Sequence, residues 1–377
     1  MITLGRALRL ALDWIEAVAV EPTAPEAAIG RIAASDIVAP VGEGTAPGAR
    51  SAGHAAVLLG WGEEVTPAAA RVMASAGITH LDVFRKPRVG VLVLVGRVPA
   101  FPGSPAGERW APLLDALRRW GGDIVATATV GDGSPALADE IDAMLAQDVD
   151  LLVLVAPGTA SARAQIECAL TPRFTRAKLP PVAVAPGVLV GGAAAETAII
   201  AVAGTAAECS ALLAVLVRPM LRKLSGYRRF RPRPLPVRLL QAAWGPTTVW
   251  RLIWARFGGG GTARPLDGSN PGLRAFPAKA DALLVLRPSR LPYSVHQFAW
   301  ALPVAEAGEA AWLSEEEQGA ALAGRHDFCC DPPGPRVLAI AGHHEGDRRA
   351  FVADFVRECH RLGWRAACIG REALVSD

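Results

Sequence analysis

The sequence is short of the groups on which metal, redox and hydrolytic chemistry usually rest. Its 377 residues hold six cysteines, Cys168, Cys209, Cys329, Cys330, Cys359 and Cys368, with no CxxC pair and no spaced His/Cys set. That argues against a zinc site or a disulfide framework, and the adjacent Cys329 and Cys330 read as incidental thiols in a reducing compartment. No GxSxG, HExxH or Ser-His-Asp order occurs, which leaves the common hydrolase readings without footing. A formal net charge of +3 is too small to imply a nucleic-acid partner. The N-terminus carries charge from Arg6 onward and lacks the apolar core of a signal peptide. The longest weakly charged run, residues 197–217, is interrupted by Gly204, Thr205 and Glu208, which suits a buried strand, turn and helix and not a membrane span. The expectation is a cytoplasmic protein with no membrane or nucleic-acid partner.

What is present is a large apolar fraction. Hydrophobic residues at 51% and charged residues at 20% fit a globular chain with a sizeable core and room for two or three domains. Leu4, Leu8, Leu12 and Ile15 recur at helical spacing over residues 4–20, and a second short helix is expected over 25–35. A Gly/Pro/Ser-rich connector covers 41–54. Residues 1–60 therefore read as an N-terminal helical segment and connector. From Lys86 strands and helices alternate: strands at 88–95, 123–129, 151–155, 182–185 and 198–202, helices at 106–120, 135–146, 162–170 and 209–224. The strands are near-continuous apolar runs, as expected of a parallel sheet covered on both faces. Residues 61–226 read as a three-layer α/β domain with a mainly parallel sheet. Residues 227–305 read as a linker and a small C-terminal β domain, 306–334 as a linker, and 335–377 as a βαβ tail. The Arg/Pro-rich piece 227–239 admits a polyanion grip, but a solvated interdomain linker is preferred.

The stretch around which the chain is organised is residues 148–165. A buried strand runs into a small-residue turn and then a helix. In α/β proteins ligands sit off the carboxyl ends of such strands, against the first turn of the next helix. This turn offers Gly158, Thr159, Ser161 and Arg163, with no carboxylate, histidine or lysine. One reading is an altered anion pocket. The other, preferred here, is that the hydroxyls cap the following helix and face solvent.

Several ordered phrases carry a family resemblance. LGRALRLALDWI, AIGRIAASDIVAPV, EEVTPAAARVMASAGITHLDVFRKPRVGVLVL, LVRPMLRKLSGY and DGSNPGLRAFPAKADALLVLRP follow one another across residues 3–305. In that order they resemble the molybdopterin molybdenumtransferase family, MoeA and the E domain of gephyrin. The resemblance implies a homodimer that works in molybdenum cofactor biosynthesis. It also implies a ligand site, for molybdopterin or molybdenum cofactor, at the strand ends of the central domain. By the same resemblance Gly187, Gly204 and Thr205 occupy turns that would hold the ligand beside Gly158, Thr159, Ser161 and Arg163.

The departures fall on the chemistry. The family's small inserted domain has no room after Pro40. Its acidic turn after the first central strand becomes Val95-Gly96-Arg97-Val98-Pro99, and the carboxylates of the next turn give way to Arg163 and Gln165. Both lysines flanking Pro186-Gly187 are gone. A divalent cation needs hard oxygen ligands, so magnesium is not expected. The tail resembles the start of the P-loop protein MobB, but Asp347, Arg348 and Arg349 stand where Gly, Lys and Ser/Thr belong, so tight nucleotide binding is not expected. The sequence thus suggests a degenerate family member that binds the pterin or assists cofactor maturation, with a molybdoenzyme or pathway protein as partner. A non-catalytic dimeric scaffold is the alternative. An active transferase with relocated ligands is a weaker one.

Overall fold

The computed structural model describes residues 2–39, 57–96, 110–182, 184–185, 188–245, 248–266 and 280–304, with four short strands beyond them. Helix α1 (Leu4–Asp13) starts where Thr3 accepts a hydrogen bond from the Arg6 amide at 3.3 Å. Its Leu4, Leu8 and Leu12 enter the main core against the last helix of the central domain. The helix expected over 4–20 stops at Asp13, and β1 (Val20–Thr23) follows. The helix expected over 25–35 is instead a run of turns. Its backbone finds distant partners: the Gly30 amide bonds Val65 O and the Ala33 amide bonds Glu63 O, each at 2.9 Å. Strands β2 (Ile37–Val38) and β3 (Val57–Leu59) pair directly, so only residues 39–56 separate them. Helix α2 (Pro67–Ser75), capped by Thr66, leads to β4 (Leu81–Phe84), which pairs antiparallel with β1.

The central domain is built from β5 (Arg88–Val95), α3 (Ala111–Arg119), β6 (Asp123–Gly131), α4 (Leu137–Leu145), β7 (Leu151–Ala156), α5 (Ala160–Leu170), β8 (Ala177–Lys178), β10 (Val188–Ala194), β11 (Thr197–Ala203) and α6 (Ala206–Leu224), with β9 (Val184–Ala185) between β8 and β10. The sheet runs β6-β5-β7-β11-β10-β8. Its first four strands are parallel, and β10 and β8 are added antiparallel. Every residue of β7 and β11 is buried, because apolar side chains meet a core on both faces. One face packs on α1, α3 and α6 through Leu113, Leu117, Leu213 and Leu216. The other packs on α4 and α5 through Ile141, Met144, Ile166 and Leu170. These are the three layers the alternation of strands and helices predicts.

Two pieces differ from expectation. The strand expected over 182–185 leaves this sheet, and β9 pairs with β14 (Trp250–Gly258). Strand β10 was not expected at all. It forms an antiparallel hairpin with β11.

The solvated-linker reading of 227–239 is also corrected. Residues Phe230 and Arg231 are buried, β12 (Arg231–Pro232) is a short strand, and β13 (Leu235–Leu239) buries Val237 and Leu239. With β14, β15 (Thr262–Pro265), β16 (Ala282–Leu286) and β17 (Phe298–Pro303), β13 closes a ring, β13–β17–β16–β14–β15–β13. Closure removes the open edges of a small sheet. Alternate residues such as Val237, Leu239, Ile253, Ala255, Leu284 and Leu286 fill its interior. Strand β18 (Trp312–Leu313) pairs with β12. In the tail, β19 (Arg336–Ala339) and β20 (Arg365–Ile369) each pair antiparallel with β21 (Glu372–Ser376). The βαβ reading missed this third strand, and its helix over 347–362 lies outside the described residues.

Candidate functional site

Parallel pairing puts the carboxyl ends of β5, β7 and β11 side by side. Three turns therefore meet: Gly96 after β5, residues 157–159 after β7, and residues 204–205 after β11. Their backbones are close. A Cβ on Gly158 would lie 3.2 Å from the Gly204 Cα, and one on Gly96 would lie 3.8 Å from the Pro157 ring. The Gly204 amide bonds Ala156 O at 3.0 Å, tying the second turn to the end of β7.

Both threonines are helix caps. Thr159 Oγ1 accepts from the Ala162 amide at 3.1 Å and opens α5. Thr205 Oγ1 accepts from the Glu208 amide at 3.4 Å and opens α6. Glu208 answers by accepting the Thr205 amide at 2.8 Å, completing a capping box. Glu208 is the residue that sequence reasoning missed at this site. Its signal was legible, since Thr205 and Glu208 stand at cap and third helical position before an apolar run.

The remaining side chains point to neighbours on the surface. The Ser161 hydroxyl donates to Asp132 Oδ1 at 3.2 Å. Arg163 pairs with Glu167 one turn along the same helix, at 3.0 Å. Gln165 clasps the turn after β6, accepting from the Gly133 amide at 2.9 Å and donating to Ser134 O at 2.7 Å. Of the residues singled out, Gly158, Thr159, Gly204 and Thr205 are brought together. Ser161 lies beside them on the β6 side and Arg163 lies a turn further along α5. Gly187 lies outside the described residues.

In the first turn of α5 the cap satisfies Ala162, and Arg163 makes the regular helix bond to Thr159 O. The Ala160 and Ser161 amides are left as helix-end donors with no intrahelical partner. At α6 the corresponding donors are the Ala206 and Ala207 amides, and Glu208 lies beside them, holding the Thr205 amide. Beneath both turns Cys209 is buried, its Sγ near Ala156 O and Val202 O, and burial followed by the neighbouring Glu208 charge pushes its thiol up to about 12. Among the described residues no group of three metal-ligating side chains lies together, and no helix is long and apolar enough to cross a membrane.

Known structures share this fold. The chain superposes on a MoeA molybdopterin biosynthesis protein from Pyrococcus horikoshii with a TM-score of 0.65, covering 81% of this chain and 100% of that one at 16% identity. A molybdenum cofactor biosynthesis protein from Pyrococcus furiosus gives 0.58 over 80% and 99% of the two chains, at 18% identity. The chain has the MoeA fold. A second Pyrococcus horikoshii MoeA structure agrees, with a TM-score of 0.60 at 14% identity, over 80% of this chain and 100% of that one. No family model matches the sequence, and no curated protein matches it. At these identities it is the MoeA fold that is shared, and the side chains at the strand ends must be read for themselves.

Proposed function

We propose that this chain works in molybdenum cofactor biosynthesis as a binder of the pterin or as an accessory to its maturation, with recognition at the start of α5. One observation carries the reading. The Ala160 and Ser161 amides open beside Thr159 at the carboxyl end of β7, where Gly158 and Gly204 let the two turns approach closely. Amides at a helix start favour an anionic group such as a phosphate. The MoeA proteins that share the fold are described as molybdopterin biosynthesis proteins, which makes a pterin phosphate the first ligand to test.

The side chains argue against turnover. Thr159 and Thr205 cap helices, Glu208 closes a capping box, and Arg163 neutralises Glu167. None of them is placed to hold a divalent cation, which needs several oxygen ligands converging on one point. The test is the ligand content of the gently purified chain, by mass spectrometry with metal analysis. A pterin retained by the wild type and lost in Gly158→Val supports the reading, because the added side chain meets the Gly204 backbone. A preparation that binds no pterin refutes it. Full rescue of a molybdenumtransferase-deficient strain refutes the loss of turnover.

A further inference from the structure

We propose that Arg256 and Arg264, with Arg238 beside them, form a phosphate-binding site on the outer face of the β barrel. The ligand class is a phosphate monoester or the free phosphate ion. This site is independent of what the start of α5 binds.

The net charge of +3 hides an uneven distribution. Residues 227–305 hold eleven arginines and one lysine against two aspartates and no glutamate, so the excess positive charge lies in this part of the chain. Strand pairing gathers three of those arginines. The Leu266 amide donates to Trp254 O at 2.7 Å, which makes 254 and 266 a hydrogen-bonded pair of the β14–β15 ladder. Two steps along, Arg256 stands directly opposite Arg264 in a pair of the same kind, with Cα atoms about 5.5 Å apart. On the other side of β15, Arg238 pairs with Thr262, which puts Arg238 diagonal to Arg264 at roughly 8 Å. The alternate residues Val237, Leu239, Ala255 and Ala263 fill the barrel interior, so all three arginines face outward and are exposed.

Like charges directly opposite in a sheet oppose its pairing. Elsewhere on this molecule arginines sit against carboxylates, as Arg31 does with Glu21, Arg163 with Glu167 and Arg173 with Asp142. Among the described residues the Arg256 and Arg264 side chains have no such partner. The outward residues that flank the pair are Trp254 and Leu266 on one side and Gly258 and Thr262 on the other, none of them charged. Asp281, just before β16, gives its Oδ1 to the Phe257 amide at 2.6 Å. The Arg238 guanidinium is steadied by the Phe298 ring, 5.1 Å from its centre. Two guanidinium forks this close are matched by one group with about two negative charges and three acceptor oxygens, which is a phosphate. A carboxylate brings one charge and two oxygens. The patch lies on the same side of the molecule as the strand-end turns. Strand β14 runs parallel to β9, which leads into β10 and so to Val188 beside Ala203 at the carboxyl end of β11. At that level Trp254 Nε1 donates to Ala207 O in the first turn of α6 at 3.0 Å, and Arg256 is two residues further on the same face of β14.

The test is calorimetric titration of the full-length chain at low salt with inorganic phosphate and with ribose 5-phosphate. The wild type is expected to bind. Arg256→Gln and Arg264→Gln are each expected to weaken binding roughly ten-fold or more, through loss of one charged hydrogen-bonding partner. Arg264→Lys keeps the charge without the fork and is expected to recover only part of the affinity. In phosphate-free buffer the two Gln variants are expected to melt no lower than the wild type, since each removes a like-charge contact. Saturating phosphate is expected to put the wild type above them, which a merely structural role would not do. Tighter binding of ribose 5-phosphate assigns the site to an ester, equal or weaker binding assigns it to the ion, and either supports the proposal. Absence of binding by the wild type, or unchanged affinity in both Gln variants, overturns it. So does a surface that takes up poly-glutamate or a single-stranded oligonucleotide and neither phosphate probe. Phosphate held at the start of α5 would be lost in Gly158→Val, whereas binding here survives that change, so the two sites fail separately.

Discussion

Gly204 and Glu208 should be energetically coupled, and the structure gives the size of the coupling. A Cβ built on Gly204 falls 2.7 Å from Glu208 Oε2, the atom that holds the Thr205 amide. Gly204 lies outside the left-handed region, so its backbone accepts alanine. In Gly204→Ala the new methyl displaces the carboxylate, and half of the capping box is lost, at a cost of about 1 kcal/mol. Against this, replacing glycine by alanine restricts the unfolded chain and returns about 0.7 kcal/mol. The net effect in the wild type is a slight destabilisation. In a Glu208→Ala background the obstructing oxygen is gone, and the same change should stabilise by about 0.7 kcal/mol. The coupling is therefore about 1 kcal/mol. The assay is amide hydrogen exchange of the peptide spanning the first turn of α6, where that energy corresponds to roughly a five-fold change in rate. If the two substitutions add within about 0.5 kcal/mol, Gly204 is not there to make room for Glu208.

Three other outcomes follow from the cited contacts. Asp150 accepts both guanidinium nitrogens of Arg85 at 2.7 Å and the Arg88 amide at 2.6 Å, in a half-buried position, so Asp150→Ala should cost about 2 kcal/mol in calorimetry. Arg85→Lys should recover little of the pair, since lysine cannot reproduce the two-pronged bond. The Arg173 hydrogen bond holds Asp142 below its ordinary value of 3.8, so the pair's contribution is present above that value and lost as pH falls through the lowered one. The difference in melting temperature between wild type and Asp142→Asn should thus be present at neutral pH and close in acid. Cys209, pushed up to about 12 and buried, should stay unmodified by iodoacetamide at mildly alkaline pH while exposed Cys168 reacts, as peptide mapping would show.

The parallel core was legible because β5, β7 and β11 are apolar on both faces and leave no ambiguity of period. The β10–β11 hairpin was not. Its turn is made by Ala195 at φ 49° and Glu196, neither of which announces a turn. The Gly191-Gly192 pair lies inside a strand. A Cβ on Gly192 would fall 2.5 Å from Ala177 O and closer still to the Phe174 ring, so the glycine permits a close approach and marks no bend. Residues 227–239 misled for a different reason. Arginine was read as a sign of solvent, yet the Arg231 guanidinium lies 5.5 Å from the Phe230 ring centre and Arg222 sits 3.6 Å over Tyr227. Guanidinium groups pack on aromatic faces, so a basic stretch with interleaved aromatics can be interior.

At the site, the sequence showed which groups were missing but not what the remaining ones were occupied with. Two helix starts face the same strand ends, and each has a carboxylate near it. At α6 the carboxylate is Glu208, held by the Thr205 amide inside the cap. A ligand anion there would have to sit beside a like charge that the cap holds in place. At α5 it is Asp132, reached only through the exposed Ser161 hydroxyl at 3.2 Å, while the Thr159 cap stands without it. Ser161 can turn away from Asp132 at the cost of one solvent-exposed hydrogen bond, which is the smaller penalty. The two ends are therefore not equivalent, although their sequences, Gly158-Thr159 and Gly204-Thr205, look alike. The charge already bound at α6 directs an anionic ligand to α5, and Glu208→Gln should raise affinity at the strand ends by removing the nearer like charge.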